Sequence, residues 1–297
     1  MALQTEIWLN HLVELLYADN TFAARSVDHS TFVDKKTVHV PNAGSAPGVV
    51  KDRNEWPAQV TQREDSDLSY DLHEYSTNPV HLQYSEEIEL SYPKRDSILG
   101  QAKSALADNV HADLIKLWTP EGYAKVGTTG ASVPSHLVST TGNRQAMTKA
   151  DVLSVAMQFD LDNIPDMGRC MLLDAVMYNQ LLASLTESEA NAFLATADAK
   201  RGVIGQLYGF DFYKRSTVLR AAANGATLAA TNAATNAAAG LAWSEYYVGR
   251  AIGERKLFLN EDDATYFGTV MSALVRAGGK YIRNDKKGVC VIFQTTP

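Results

Sequence analysis

Residues Pro93 to Trp118, PKRDSILGQAKSALADNVHADLIKLW, constrain the chain more than any other stretch. Apolar side chains at Leu99, Ala102, Leu106, Val110, Leu114 and Leu117 recur in steps of three and four, the signature of one helical face. Pro93 suits a first helical turn, where a missing N–H costs nothing. Pro120 disfavours helical geometry at Thr119 and stops the run. Lys94, Asp96, Lys103, Asp108, Asp113 and Lys116 are expected on the wet face. At about 1.5 Å per residue such a helix is roughly 35–40 Å long, well beyond the globular average. It divides β-patterned sequence with a long charged excursion from an Ala-rich α/β region and so looks like a spine, while on this stretch alone an ordinary long helix across a sheet is the preferred reading.

The chain has 297 residues, 45% of them hydrophobic, enough for a sizeable core and one to three domains. A net charge of −7 argues against a nucleic-acid-binding module, which needs clustered Lys and Arg, and does not exclude a container for nucleic acid, whose wall should not adhere to a polyanion. No apolar run approaches the ~20 residues of a membrane helix. MALQTEIWLNHLVELLY lacks a basic n-region and a small-residue cleavage site, so export is not expected. Cys170 and Cys290 sit in apolar runs, RCMLLD and GVCVIF, and read as buried thiols of a reducing compartment rather than a disulfide.

Along the chain, Thr5 to Tyr17 forms a short amphipathic helix through Trp8, Leu12, Leu15 and Leu16, too short to persist undocked. KKTVHVP alternates like a strand. Asn42 to Asp67 is rich in Gly, Pro and charge and nearly without period, a loop long enough to be functional. Its Trp56 wants a surface to bury against. Leu68, Tyr70 and Leu72 alternate with polar residues, as do Val80, Leu82 and Tyr84, giving half-buried antiparallel strands. Lys35 to Val80 therefore reads as a two-stranded arm that needs a partner to lie on.

Beyond the spine helix, Glu121 to Gln145 is Gly/Ser/Thr-rich and looks like a domain boundary. Thr148 and Asp151 form a capping box for a helix burying Val152, Val155, Ala156 and Phe159. A buried strand (RCMLLD), two further helices and a glycine-bent strand pair (GVIGQLYGFDFYKRS) follow, as in a small α/β domain. AAANGATLAATNAATNAAAG, Ala221 to Gly240, reads as a flexible surface loop. A polar turn is expected at Asn260 to Asp263, and the last two strands, joined through Asn284 to Gly288, read as a hairpin.

Motifs that carry chemistry are missing. GVIGQLYG lacks the dinucleotide-binding spacing and is followed by strand. The seven histidines are scattered without ligand spacing, and no GxSxG elbow occurs. Glu86, Glu87 and Glu89, and the pair Asp262-Asp263, read as solvated faces. No catalytic residue, metal or cofactor is expected, and the chain does not read as an enzyme.

The order of parts resembles the major capsid proteins of tailed bacteriophages, the Hong Kong 97-type fold. The resemblance is carried by the N-terminal helix with Ile7-Trp8, then KTVHVP and the charged loop, and the returning strand SYDLHEYSTNPVHL. The spine helix, RCMLLDAVMYNQLL, GVIGQLYGFDFYKRS and the closing RAGGKYIRNDKKGVCVIF complete it. It covers nearly the whole chain in order and rests on that order rather than on any one motif. It implies an α+β fold with an N-terminal arm (1–30), an extended E-loop (31–79) and a peripheral domain with the spine helix (80–144). An axial domain (145–251) and a return to the peripheral domain (252–297) would follow.

By the same resemblance the chain assembles with itself, as hexamers and pentamers, into an icosahedral head around double-stranded DNA bound without sequence specificity. It is made in the host cytoplasm and ends in the virion. A portal protein at one vertex is implied, and decoration proteins are compatible. Only residues 1–30 precede the E-loop, which implies a separate scaffolding protein or none. Lys51, Arg53, Glu55, Trp56 and Arg63 of the E-loop, and Trp8, Leu12 and Leu16 of the arm, are the implied inter-subunit contacts. Leu99, Leu106, Val110, Leu114 and Leu117 are the implied helix core. Lys51, Asn260 and Asn284 supply the residue types of the type member's isopeptide crosslink, which most members lack and which is not expected here. Three rivals remain at this point: an encapsulin-like compartment shell packaging cargo enzymes, an unrecognised α/β hydrolase, and a protein that decorates a shell rather than forming it.

Overall fold

The computed structural model describes residues 21–44, 48–54, 56–57, 60, 62–83, 94–198, 200–263 and 265–297, the side chains of 94–97 and 262–263 excepted. The expectations for Trp8, Leu12, Leu16, Glu55, Glu86, Glu87 and Glu89 fall outside these residues.

The first strands are β1 (Val27–Asp28), β2 (Val33–Asp34), β3 (Thr37–Asn42), β4 (Ser66–Asp71), β5 (His73–Ser76) and β6 (Val80–Gln83). Helix α1 (Lys94–Trp118) follows, then β7 (Ala124–Gly127), β8 (Ser132–Pro134) and β9 (Asn143–Gln145). Next come α2 (Lys149–Leu161), β10 (Arg169–Asp174), α3 (Ala175–Ser184) and α4 (Glu187–Ala195). The chain ends with β11 (Gly205–Leu207), β12 (Phe210–Arg215), β13 (Leu219–Ala221), β14 (Ala237–Ser244), β15 (Val248–Asp263), β16 (Gly268–Tyr281) and β17 (Val289–Phe293).

Two sheets organise the α+β fold. The larger runs β11-β12-β10-β14-β17-β7, with β13 also on β14. Every residue of β10, β14 and β17 is buried. Such unbroken apolar runs suit strands covered on both faces. One face carries α2, α3 and α4 through Val152, Val155, Phe159, Met177, Leu181 and Phe193. The other receives Phe22 and the last turn of α1, Ile115 and Trp118. The second sheet runs β1-β15-β16-β5, with β6 also on β16. Its core strand β16 alternates buried and half-buried residues and seats α1 over Met271, Ala273, Val275 and Ala277.

The spine helix forms as its periodicity requires, 25 residues and about 37 Å long. Leu99, Leu106, Val110 and Leu114 are buried, as expected. Leu117 is not: it is half-buried, beside an open hollow with His73, Tyr75, Asp113 and Lys116. In the last turn the helix rolls toward the larger sheet, and Ile115 and Trp118 take the fully buried places. Lys103, expected in water, is buried, because the seat follows 99, 103, 106, 110 and 114 rather than passing through Ala102. Thr119 ends the helix, its Oγ1 donating to the Ile115 carbonyl at 3.0 Å.

Three other expectations are corrected. The Ala221 to Gly240 stretch is no continuous surface loop, since Ala221 and Ala237 to Gly240 are buried strand. Small side chains are what the place demands: a Cβ on Gly240 would come within 2.8 Å of the Leu172 carbonyl oxygen. Asn260 to Asp263 is strand with a register irregularity, and the turn falls later, before Gly268. The last two strands form no hairpin. β16 pairs with β15 and β17 with β14 and β7, in different sheets. Their patterns explain it: β16 is wet on alternate residues and β17 on none.

The capping box at α2 is present, with the Asp151 carboxylate accepting from the Thr148 N–H at 2.8 Å. Cys170 in β10 and Cys290 in β17 are free and buried, and burial pushes each thiol up to about 12. Both should therefore resist maleimide at pH 8 in the native protein and react once it is unfolded, as intact-mass measurement would show. Replacing Trp118 by Ala should destabilise the unassembled subunit by about 3–5 kcal/mol in urea unfolding. A loss below about 1 kcal/mol would mean that the helix is held elsewhere.

Candidate assembly surfaces

The arm is rooted in a paired ribbon. β3 and β4 run antiparallel from Thr37↔Asp71 to Asn42↔Ser66, with β2 beside them. Val38, Tyr70 and Leu72 on one side of this ribbon are buried against Ala251, while His39, Ser69 and Asp71 face water. The alternation visible in the sequence thus decides which side of the ribbon sits on the body.

Polar contacts then pin the root. Asn42 donates to the Ile282 carbonyl at 2.8 Å, and Lys280 to the Ser69 carbonyl at 3.0 Å. Asn284 donates through Nδ2 to the Ser66 hydroxyl. A little further out, Asp65 accepts from the Gly44 N–H at 2.8 Å and from Arg63 Nη2 at 3.0 Å. The Arg63 guanidinium and the Gly44 N–H hold the Asp65 carboxyl below its usual range. Gly44 is needed there because a Cβ would overlap the Glu64 carbonyl oxygen across the ribbon.

Past this clasp several described side chains stand in water. Trp56 is 78% exposed, and Val49, Val50 and Val60 are exposed as well. Lys51 is also exposed, Arg53 is half-buried, and Arg63 is exposed but engaged with Asp65. An indole and three valines thus stand in water on one excursion. The structure gathers Arg63 with the root and leaves Lys51 and Trp56 free of it.

Sequence reasoning missed a second group of residues, at the junction of the two sheets. Arg25, beyond the implied arm helix, meets Asp211, Glu245 at 2.9 Å and the Tyr213 hydroxyl at 3.2 Å. These partners lie about two hundred residues away along the chain, so no local pattern announces them. His136 bonds Asp174 at 2.8 Å, and Asp174 in turn accepts from the Met177 N–H at the start of α3. The Asp174 carboxylate is thus a helix cap with a histidine as its second partner. Among the described residues no group of three or more His, Cys, Asp or Glu could hold a metal ion. No helix among them is long and apolar enough to cross a membrane.

No family model matches the chain, and no curated protein matches it in sequence. Solved structures do match it. The capsid of the cyanophage P-SCSP1u aligns over 92% of this chain and 87% of its own, at a TM-score of 0.63 and 17% identity. The capsid of Ralstonia phage GP4 aligns over the same shares with a TM-score of 0.63 and 13% identity. A virus-like particle from Pyrococcus furiosus covers 97% of this chain and 99% of its own, with a TM-score of 0.59 and 9% identity.

Substituting Ala for Gly44 should open the clasp at Asp65 and speed limited proteolysis of the loop roughly tenfold, the effect of about 1.4 kcal/mol. The thermal transition of the body should not move. From β1 to β17 the chain has the α+β fold of phage capsid proteins.

Proposed function

We propose that the chain is the major capsid protein of a tailed phage, assembling through hexamers and pentamers into an icosahedral head around double-stranded DNA. The observation that carries this reading is the fold likeness to phage capsids over nine-tenths of the chain. The loop with Trp56 supports it, because the loop presents apolar side chains that no other described residue covers. In a shell that surface lies on a neighbouring subunit, and repeated modest contacts add up over many copies.

On this reading residues 31–79 are the E-loop, with Lys51, Arg53, Glu55, Trp56 and Arg63 at the inter-subunit contact. Trp8, Leu12 and Leu16 belong to an N-terminal arm with the same role. The peripheral domain combines residues 80–144 with 252–297, and residues 145–251 form the axial domain. DNA is enclosed without base recognition, consistent with a net charge of −7. A portal at one vertex and a separate scaffold or decoration protein complete the set of partners. The role is structural rather than enzymatic, and the virion is its destination.

A compartment shell that packages cargo enzymes is the second reading. The likeness to the Pyrococcus furiosus virus-like particle, end to end in both chains, favours it. The chain's genomic neighbours separate the two, a portal or terminase gene supporting the phage and a cargo enzyme the compartment.

Expression alone and with those neighbours, followed by sedimentation and negative-stain microscopy, tests the shell reading itself. Closed particles, tubes or capsomer-sized rings are expected, and a strictly monomeric product under both conditions would overturn it. Trp56→Ala should leave the subunit's unfolding midpoint unchanged while weakening each contact by about 2 kcal/mol, the scale of an aromatic hot spot. Assembly yields equal to wild type would remove Trp56 from the contact.

A further inference from the structure

Two buried histidines grip the segment by which the chain enters the body. His111 on α1 and His29 in the segment itself are 7% and 9% exposed. The His111 ring lies edge-on to Phe22, at 5.8 Å, in the turn Thr21–Ala24. Its Nδ1 donates to the Ala107 carbonyl at 2.6 Å. A carbonyl only accepts, so Nδ1 carries the proton of the neutral ring, and acid must add the second proton at Nε2. Further along, the His29 N–H donates to the Arg250 carbonyl at 2.8 Å, and its Nδ1 meets the Tyr70 hydroxyl at 3.1 Å. Tyr70 belongs to β4, so His29 joins the entry segment to the ribbon at its root.

The surroundings accept a neutral imidazole and repel a charged one. His111 faces Arg215 at the end of β12, Arg250 on β15 and Asp108 on its own helix. Arg255 of β15 lines the same hollow, and the β16 wall there, Val275, Ala277 and Gly278, is uncharged. The Asp108 side chain points outward, 72% exposed and 3.8 Å from Arg215. Burial first, then Arg215 and Arg250, hold the His111 imidazole below its ordinary value of 6.5, against the opposing pull of the Ala107 carbonyl and Asp108. Burial likewise holds His29 below 6.5, against the carboxylate of Asp28, which itself pairs with Arg250 at 3.5 Å. Arg250 also donates to the Ala23 carbonyl. A charged His111 therefore presses on the very side chain that fastens the turn.

We infer that neutral His111 and His29 latch the entry segment, residues 21–32, onto the body, and that protonation releases this segment together with the root of the ribbon. A released imidazole titrates at about 6.5, so the open form takes up protons before the closed one. Stability of the closed segment is complete above that pH and is lost as the pH falls below it. The window from pH 7.5 to 5.5 belongs to histidine, since ordinary carboxylates titrate at about 4. The latch is a property of the folded subunit and stands or falls apart from the shell reading.

Hydrogen exchange read peptide by peptide on the full chain tests it, as protection factors corrected for the intrinsic effect of pH. Between pH 7.5 and 5.5 the protection of residues 21–32 should fall at least about threefold, while that of β10 and β17 holds. The ratio between the two pH values is the readout, so a variant that loosens the segment at both still reports. His111→Phe keeps an aromatic edge for Phe22 without a titrating nitrogen and should remove most of the fall. Adding His29→Asn should remove the rest, and His111→Gln serves as a second variant of smaller ring-free shape. A wild-type ratio of one would overturn the latch. So would a fall that persists undiminished in both His111 variants, or an equal fall in β10 and β17, which would mean acid unfolding of the whole subunit.

Discussion

The two sheets are held as one body by a cluster of aromatic rings. Trp118, at the end of the spine helix, lies 5.6 Å from Trp243 of the larger sheet, and Phe22 meets both edge-on at 6.2 and 6.3 Å. Tyr213 stacks on Trp243 from the neighbouring side. Edge-on and offset contacts of this kind are the arrangement that ring quadrupoles favour. Each indole also satisfies its N–H on a backbone carbonyl, Trp118 on Gly249 and Trp243 on Arg25, at 2.9 and 2.8 Å. Four segments far apart in the chain are therefore fixed by two side chains.

That junction explains details that look unrelated. Gly279 in β16 lies against Leu114 and the Trp118 ring nitrogen, so a side chain there would push the helix off its seat. The helix rolls in its last turn because Trp118 must reach the larger sheet, and Leu117 is left half in water. Arg25 stands beside the same cluster, with Asp211 and Glu245 as its ion partners. It ties the segment entering from the N-terminus to strands β12 and β14, where a charge half-removed from water needs such partners.

What the sequence disclosed follows from which signals are local. Helix periodicity over twenty-five residues, the Thr148–Asp151 cap and the apolar run of β10 are set by neighbours in the chain and were legible. The alternation at Leu68, Tyr70 and Leu72 located the root of the arm for the same reason. β14 was not legible, because an alanine-rich strand is recognised only by the tight space between β10 and β17 that it fills. The closing strands were individually visible, but their pairing depends on which sheet has a free edge, a long-range property. Lys103 on the buried face and the two tryptophans at the junction answer to partners across the fold. Of the candidate contact residues, Trp56 stood out as an aromatic in a polar loop.

The way the arm is attached has a mechanical consequence. Its root bonds to Lys280, Ile282 and Asn284, which end β16 and begin the passage to β17 in the other sheet. The ladder between β3 and β4 lies across the arm's axis. Tension along the arm draws both strands the same way and does not shear them past each other. The load passes instead to the root, at one of the places where the chain crosses between the sheets. A tug on the tip is thus shared by both sheets and by the tryptophans that clamp them, so the arm behaves as a tether anchored in the whole subunit.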